Sequence, residues 1–293
     1  MPRLPAWIRS DRRTDADFKR VQGLLSREGL NTVCVGARCP NRAECWNHGT
    51  ATFLILGDTC TRGCAFCAVT PGRPAPPAAD EPERVARAVN AMGLKHAVVT
   101  SVTRDDLPDG GAGAFAATIR AIRSAAPGTS VEVLTPDFAG SESALAAVLE
   151  ARPDVFAHNL ETVRRLTPAI RASASYERSL AVLRFAASWT PPAAVKSGLM
   201  LGLGETDAEV MESLRDLRGS GCRWLTLGQY LAPTARHAPV ARFVTPAEFD
   251  GWAARARQMG FEPVASGPLV RSSYRAAEGW AELAREDRAC PAC

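Results

Sequence analysis

A strand–helix pair repeats six times between residues 51 and 260, and this rhythm limits the folds open to the chain. ATFLILG (51–57) is an apolar run that reads as a buried strand. EPERVARAVNAMG (81–93) follows as a helix, with Val85, Val89 and Met92 on one face. HAVVTSV (96–102) pairs with GAFAATIRAIRSAA (113–126), and SVEVLTP (130–136) with SESALAAVLEA (141–151). VFAHNLET (155–162) precedes SYERSLAVLRFAAS (175–188), and VKSGLMLGLG (195–204) precedes DAEVMESLRDLRGSG (207–221). WLTLGQYL (224–231) with TPAEFDGWAARARQMG (245–260) completes the series. Such alternation implies an α/β fold, a parallel sheet with right-handed crossovers. Six units suit an open doubly wound sheet or a partial barrel; a full eight-stranded barrel needs about 250 residues, more than this repeating part provides.

Sites in such folds lie at the C-terminal ends of parallel strands. Polar residues cluster there: Ser101, Thr103, Arg104 and Asp105 after the second strand, Asn159 and Glu161 at the fourth. Lys196, Ser197 and Glu205 belong to the fifth unit, and Gln229 and Tyr230 to the sixth. Any parallel sheet has polar loops at this edge, so each residue alone says little. CTRGCAFC (60–67) follows the first strand at the same rim, which marks the rim as a whole. PGRPAPPAADEP (71–82) is a stiff, proline-rich surface loop.

Residues 1–50 and 263–293 show no strand–helix rhythm and read as extensions on either side of a repeating domain at 51–262. Six of the nine cysteines fall within residues 34–67, as C-x4-C-x5-C (Cys34, Cys39, Cys45) and C-x3-C-x2-C (Cys60, Cys64, Cys67). The start of the chain has no secretory h-region and no apolar run is long enough to span a membrane, so a cytoplasmic protein is expected. Thiols stay reduced there, and clustered cysteines point to metal binding or chemistry. A net charge of +4 does not argue for nucleic-acid binding. Arg3, Arg9, Arg12, Arg13, Lys19 and Arg20 make the N-terminus basic; it is either a dock for an acidic partner or a solvated tail. No unpartnered apolar helix face calls for oligomerisation, so a monomer is expected.

Three thiolates can hold a four-iron cluster with one iron left open, since such clusters take four ligands. They can also bind zinc, with His48 completing a Cys3His set beside the first trio. Cys222 reads as a core cysteine, and Cys290 and Cys293 as a tail pair of either redox, metal-binding or incidental character.

C-x3-C-x2-C with Phe66 before its last cysteine, placed after the first strand of six, resembles the radical S-adenosylmethionine (SAM) superfamily. VCVGARCPNRAECW, HGTATFLILGDTCTRGCAFC, TSVTRDDLPDGGA, PDVFAHNLETV, KSGLMLGLGET, LTLGQYL and GPLVRSSYRA, in that order from about residue 31 to 276, resemble the lipoyl synthase family. The resemblance implies a partial (β/α)6 TIM-like barrel of the radical SAM type, with both extensions closing over the rim. It implies insertion of two sulfur atoms, at C6 and C8, into a protein-bound octanoyl-lysine.

By the same resemblance Cys60, Cys64 and Cys67 hold a four-iron, four-sulfur cluster that binds SAM. Cys34, Cys39 and Cys45 hold a second, auxiliary cluster that donates sulfur. Its fourth ligand is a serine of Arg271–Tyr274; Ser273 is favoured, with Ser272 as the alternative. Ser273 and Arg271 are the expected catalytic residues. Asn159, Glu161, Lys196, Ser197 and Glu205 are expected to contact SAM. The implied partners are octanoylated lipoyl carrier domains, of a 2-oxoacid dehydrogenase E2 or a glycine cleavage H protein, an electron donor such as flavodoxin or ferredoxin, and an iron–sulfur carrier. The chain departs from the family pattern in CVGARC, where acidic residues more often follow the first cysteine, and in RASASYERSL, which lacks the usual arginine–proline–glycine lead.

Overall fold

The computed structural model describes residues 3–10 and 13–289, with side chains to 285. Arg12, Cys290 and Cys293 lie outside the described residues. The N-terminal extension forms helix α1 (Ala16–Arg27), a short strand β1 (Asn31–Thr32), and helices α2 (Val33–Gly36) and α3 (Arg42–Asn47). Asp15 caps α1 by accepting the Phe18 N–H.

The six expected strands are all present, as β2 (Thr52–Ile55), β5 (His96–Ser101), β6 (Ser130–Leu134), β7 (Val155–Ala157), β8 (Ala194–Leu201) and β9 (Trp224–Gln229). Strands β3 (Thr59–Cys60) and β4 (Thr70–Pro71) pair separately, around the cysteine loop. The crossover helices are α4 (Glu81–Met92), α5 (Ala112–Ala125), α6 (Glu142–Glu150), α8 (Tyr176–Ala187), α9 (Asp207–Gly219) and α10 (Pro246–Gln258), with a single turn, α7 (Thr167–Ile170), before α8. Two starts carry full capping boxes, Thr206 with Glu209 and Thr245 with Glu248, which satisfy otherwise orphaned N–H groups.

The fourth strand is shorter than VFAHNLET suggests. After Ala157 the chain turns, Glu161 takes a left-handed φ of 68°, and it rejoins the sheet as an isolated bridge to Leu199. The C-terminal extension departs further from expectation. Residues Val264–Gly267 form strand β10, which pairs in parallel with β9 through Val264 opposite Leu225, and Ala276–Ala289 form helix α11. The strand–helix rhythm therefore continues past residue 262.

The sheet order is β1-β2-β5-β6-β7-β8-β9-β10, parallel from β2 to β10, with β1 antiparallel on the edge of β2. β1 and β10 do not pair with each other, so the sheet stays open. Alternate residues face opposite sides. Phe53, Val99, Val133, Phe156, Val195 and Leu225 face the helices and form the main core. Val98, Val155 and Trp224 face the inner side and meet Ala276 of α11. Among the described residues, no helix is long and apolar enough to cross a membrane.

Candidate active site

Cys60 ends β3, and its carbonyl accepts the Gly72 N–H at 2.9 Å, so residues 60–72 form a closed loop at the carboxyl end of β2. Each stretch between the cysteines is pinned. The Thr61 N–H donates to the Thr103 carbonyl at 3.0 Å. Arg62 donates from Nε and Nη2 to both oxygens of Asp105 at 2.7 Å and from Nη2 to Asp137 Oδ1 at 2.8 Å. The Ala65 N–H donates to the Ile170 carbonyl at 2.9 Å and the Ala65 carbonyl accepts from Ala238 at 2.8 Å. His237 Nε2 lies 2.9 Å from the Cys67 carbonyl. The loop thus holds its shape through contacts with four neighbouring segments.

The N-terminal trio is built from two short helices. Cys34 lies in α2 and Cys45 in α3, and Cys39 stands between them, where its N–H donates to the Cys34 carbonyl at 3.2 Å. The left-handed φ of Arg38, 51°, makes that reversal. Thr50 fixes the end of the segment by donating from N and Oγ1 to the Cys45 carbonyl, at 2.9 and 3.0 Å.

The C-terminal extension returns onto this trio. Asn41 Nδ2 donates to the Leu269 carbonyl at 2.6 Å, and Tyr274 Oη donates to Glu44 at 2.8 Å. Arg275 pairs with the same Glu44 at 3.5 Å. The two serines diverge. Ser273 Oγ accepts from Thr52 Oγ1 at 2.7 Å, and the Thr52 backbone acts on the Cys34 thiol, favouring its thiolate. Ser272 Oγ accepts from Asn159 Nδ2 at 2.6 Å. Ser273 therefore faces the N-terminal trio and Ser272 faces the opposite side of the rim. Close approach requires Gly228: a Cβ there would stand 2.2 Å from the Val270 carbonyl.

All six thiols are free. Burial first, and then the neighbouring thiols of each trio, push Cys67 up to about 11 and Cys45 up to about 12. Cys34, Cys39 and Cys64 are raised too, chiefly by burial. A bound metal centre reverses this balance, because its positive charge deprotonates coordinating thiols. No three Cys, His, Asp or Glu side chains among the described residues are gathered tightly enough for one metal ion. His48 is exposed, with Nδ1 2.7 Å from the Glu44 carbonyl. Each trio's thiols interact with one another, and thiolates are the donors that iron–sulfur clusters take.

Of the five residues expected at SAM, two reach the inner rim. Asn159 donates to Glu161 Oε1 at 3.1 Å and to Ser272, while its buried Oδ1 has no partner in the protein. A buried orphan acceptor is costly, so it fits a ligand that donates to it. Glu161 is half-buried; desolvation raises its pKa, opposed by Arg171, Asn159 and Arg271, and its charge is felt by Cys64 and Cys67.

The other three are placed elsewhere. Lys196 sits near the amino end of β8, where its Nζ donates to both Glu132 oxygens at 2.8 and 3.0 Å. Ser197, one residue on, faces the opposite side of the sheet and accepts the Leu160 N–H at 3.2 Å. Glu205 turns back on its own loop, accepting the N–H groups of Gly202 at 2.6 Å and Leu203 at 2.9 Å. Gln229 and Tyr230 likewise serve the fold. Gln229 binds the carbonyls of Leu201, Tyr230 and Arg242, and Tyr230 Oη donates to the Ala238 carbonyl at 2.7 Å. They shape the 231–244 loop whose His237 and Ala238 pin the cysteine loop. Arg62, Asp137, Arg171, Thr52, Asn41 and Glu44 were not singled out from sequence; Arg62, Asn41 and Glu44, each lying between two of the cysteines, carried a local signal.

Residues 54–217 match the radical SAM superfamily model. The chain is 54% identical to a lipoyl synthase of Rubrobacter xylanophilus, over 94% of this chain and 85% of the relative. It is 57% identical to a lipoyl synthase of Pyrobaculum arsenaticum, over 94% of each. Among solved structures it is similar to HydG, a maturase of the FeFe-hydrogenase, with a TM-score of 0.56 at 14% identity over 85% of this chain and 67% of that one. It is also similar to Streptococcus suis SuiB bound to S-adenosylmethionine, with a TM-score of 0.57 at 10% identity over 77% and 52%. These distant structures share the fold alone. The curated relatives carry the match through both extensions, and the chain belongs to the lipoyl synthase family of the radical SAM superfamily.

Proposed function

We propose that the chain holds two four-iron, four-sulfur clusters: one on Cys60, Cys64 and Cys67, and an auxiliary one on Cys34, Cys39, Cys45 and Ser273. As a lipoyl synthase it inserts two sulfur atoms, at C6 and C8, into an octanoyl chain carried by a lipoyl carrier protein. When bound, the first cluster with SAM supplies a carbon-centred radical able to take hydrogen from an unactivated C–H bond. The auxiliary cluster is the sulfur-donating substrate.

The chain's own residues orient and separate these parts. The 60–72 loop presents its three thiols against Glu161 and Asn159. The Asn159 carbonyl oxygen is free to accept from SAM, and Arg271, beside Cys39 and Glu161, stands between the two thiol sets. Ser273 meets the N-terminal trio through Thr52, and the bond at 2.7 Å between Thr52 and Ser273 is the observation that carries the reading. Ser273 would supply an alkoxide ligand, harder and more basic than the three thiolates, and so one that a proton could displace. The octanoyl-lysine belongs to an E2 or H-protein carrier domain, with reduction by a flavodoxin- or ferredoxin-like donor and cluster renewal by an iron–sulfur carrier.

Anaerobic purification should give about eight irons per chain, as two four-iron clusters require. Incubation with SAM, dithionite and an octanoylated lipoyl domain should raise the carrier's mass by two sulfur atoms. An enzyme with one cluster that cleaves SAM and leaves the carrier unchanged would refute the two-cluster reading.

A further inference from the structure

One buried group of charges takes no part in this chemistry. At the amino end of the sheet, on its inner side, Glu132 receives Lys196 Nζ on both oxygens, and His96 Nε2 lies 3.2 Å from the same carboxylate. All three side chains are no more than 1% exposed. A buried ion group of this kind is a weak source of stability, because desolvation offsets its attraction. Two indoles seal it. Lys196 Nζ stands 3.8 Å from the Trp224 ring centroid, and the His96 ring stacks on Trp280 at 6.2 Å and 23°. Trp224 belongs to the sheet, but Trp280 belongs to α11.

Helix α11 therefore closes over the charges. Its first residue, Ala276, packs against Val98, Val155 and Trp224. Gly279 passes so close to Trp224 that a Cβ would stand 2.3 Å from the indole. The helix begins three residues after Ser273, whose carbonyl accepts the Ala276 N–H at 3.4 Å. Upstream, the Val270 carbonyl rests on Gly228. Ser273 is thus held between two contacts with the inner sheet face, one on each side in sequence.

We propose that the Glu132–Lys196–His96 group, with Trp224 and Trp280, is a socket that seats α11 and thereby positions the Ser273 hydroxyl at the N-terminal cysteine trio. A hydrogen-bonded helix moves as a unit, so a shift at Gly279 is delivered to Ala276 and to the turn bearing Ser273. The socket residues touch neither cluster nor substrate. They are positioning residues, and their role rests on the reading of Ser273 as a cluster ligand.

The test uses the holoenzyme with Gly279→Leu, which wedges the helix from Trp224, and Trp280→Ala, which removes the stacking ring. Amide exchange across residues 271–285 should quicken about tenfold or more in both. SAM cleavage to 5′-deoxyadenosine should stay near wild type, while sulfur insertion falls by about a hundredfold, as expected for a misplaced reacting group. Trp280→Phe, which keeps a ring on His96, should restore insertion. Unchanged exchange in both variants would mean the socket does not seat the helix. Faster exchange with normal insertion, or insertion and SAM cleavage falling in parallel, would equally overturn the proposal. A wild-type enzyme carrying only one cluster would instead overturn the two-cluster reading itself.

Discussion

Replacing Arg62 by methionine should unfasten the loop that carries Cys60, Cys64 and Cys67. Arg62 is 7% exposed and bridges two carboxylates, Asp105 at 41% exposure and Asp137 at 0%. The Asp105 contact is half in water and adds little. The Asp137 contact governs, because removing one partner of a buried pair leaves an uncompensated charge, at about 3–5 kcal/mol. Arg178 still reaches Asp137 at 3.2 Å, which favours the lower end, about 3 kcal/mol. Burial alone would raise Asp137, yet the Arg62 hydrogen bond and charge, with smaller help from His158 and the Ala139 N–H, bring it down from 3.8 to about 2. That depression corresponds to about 2 kcal/mol. Since the folded value lies below the unfolded one, this stabilisation is present above pH 4 and is lost as pH falls toward 2. Urea unfolding of wild type, Arg62→Met, Asp137→Asn and the double variant gives the coupling directly. The double variant should cost less than the sum of the singles, and Arg62→Met should flatten the loss of stability between pH 4 and 2. Chelator-driven iron release from the holoenzyme should quicken in Arg62→Met and, to a lesser degree, in Arg62→Lys, whose point charge cannot span both carboxylates. Additive single costs, with unchanged iron release, would refute the reasoning.

The two trios should fail differently. Alanine at Cys60, Cys64 or Cys67 should abolish 5′-deoxyadenosine formation, whereas alanine at Cys34, Cys39 or Cys45 should leave it and stop sulfur insertion; lipoyl product from any of the latter would end the donor assignment. Ser273→Ala should still cleave SAM while inserting little sulfur, and Ser273→Cys should hold the cluster but release it poorly, with Ser272→Ala as the control that keeps the auxiliary ligand set. Deleting residues 1–13 should raise the Michaelis constant for an acidic carrier domain, with a steep salt dependence, and leave a short octanoyl-lysine peptide unaffected; equal effects on both substrates would identify the segment as a plain tail.

The sheet was legible where strands are apolar and branched. HAVVTSV and SVEVLTP announce themselves because both faces of a parallel strand are covered. VASG at 264–267 carries no such run; its place beside β9 follows from the preceding helix α10 packing back on the sheet, a tertiary cause that no local pattern reports. Lys196 shows the other limit. Sequence put it in a strand but gave neither its depth along that strand nor its partner, Glu132, which lies 64 residues away. Ser197 and Glu205 were equally invisible as backbone acceptors. The cysteine spacings carried the metal chemistry, yet the choice between Ser272 and Ser273 depended on how the returning chain meets Thr52 and Asn159, partners 221 and 113 residues distant.

The path between the two trios has an electrostatic logic of its own. Cys39 is acted on by Arg271, Arg271 by Glu161, and Glu161 by Arg171, which also acts on Cys64. Charge alternates along this line, from one thiol set through a cation, a carboxylate and a second cation to the other set. Thiolate clusters repel one another, and the low dielectric of a half-buried rim strengthens that repulsion. Two arginines with a carboxylate between them screen it while keeping the thiol sets apart. Glu161 can occupy the middle only because the chain takes a left-handed turn there and then rejoins the sheet at Leu199. Arg271 reaches the line only because the C-terminal segment crosses Gly228. On the proposed two-cluster reading, an octanoyl chain attacked from one thiol set and supplied with sulfur from the other would lie along this line. On that reading, the same residues that balance the charges also stand between the two steps.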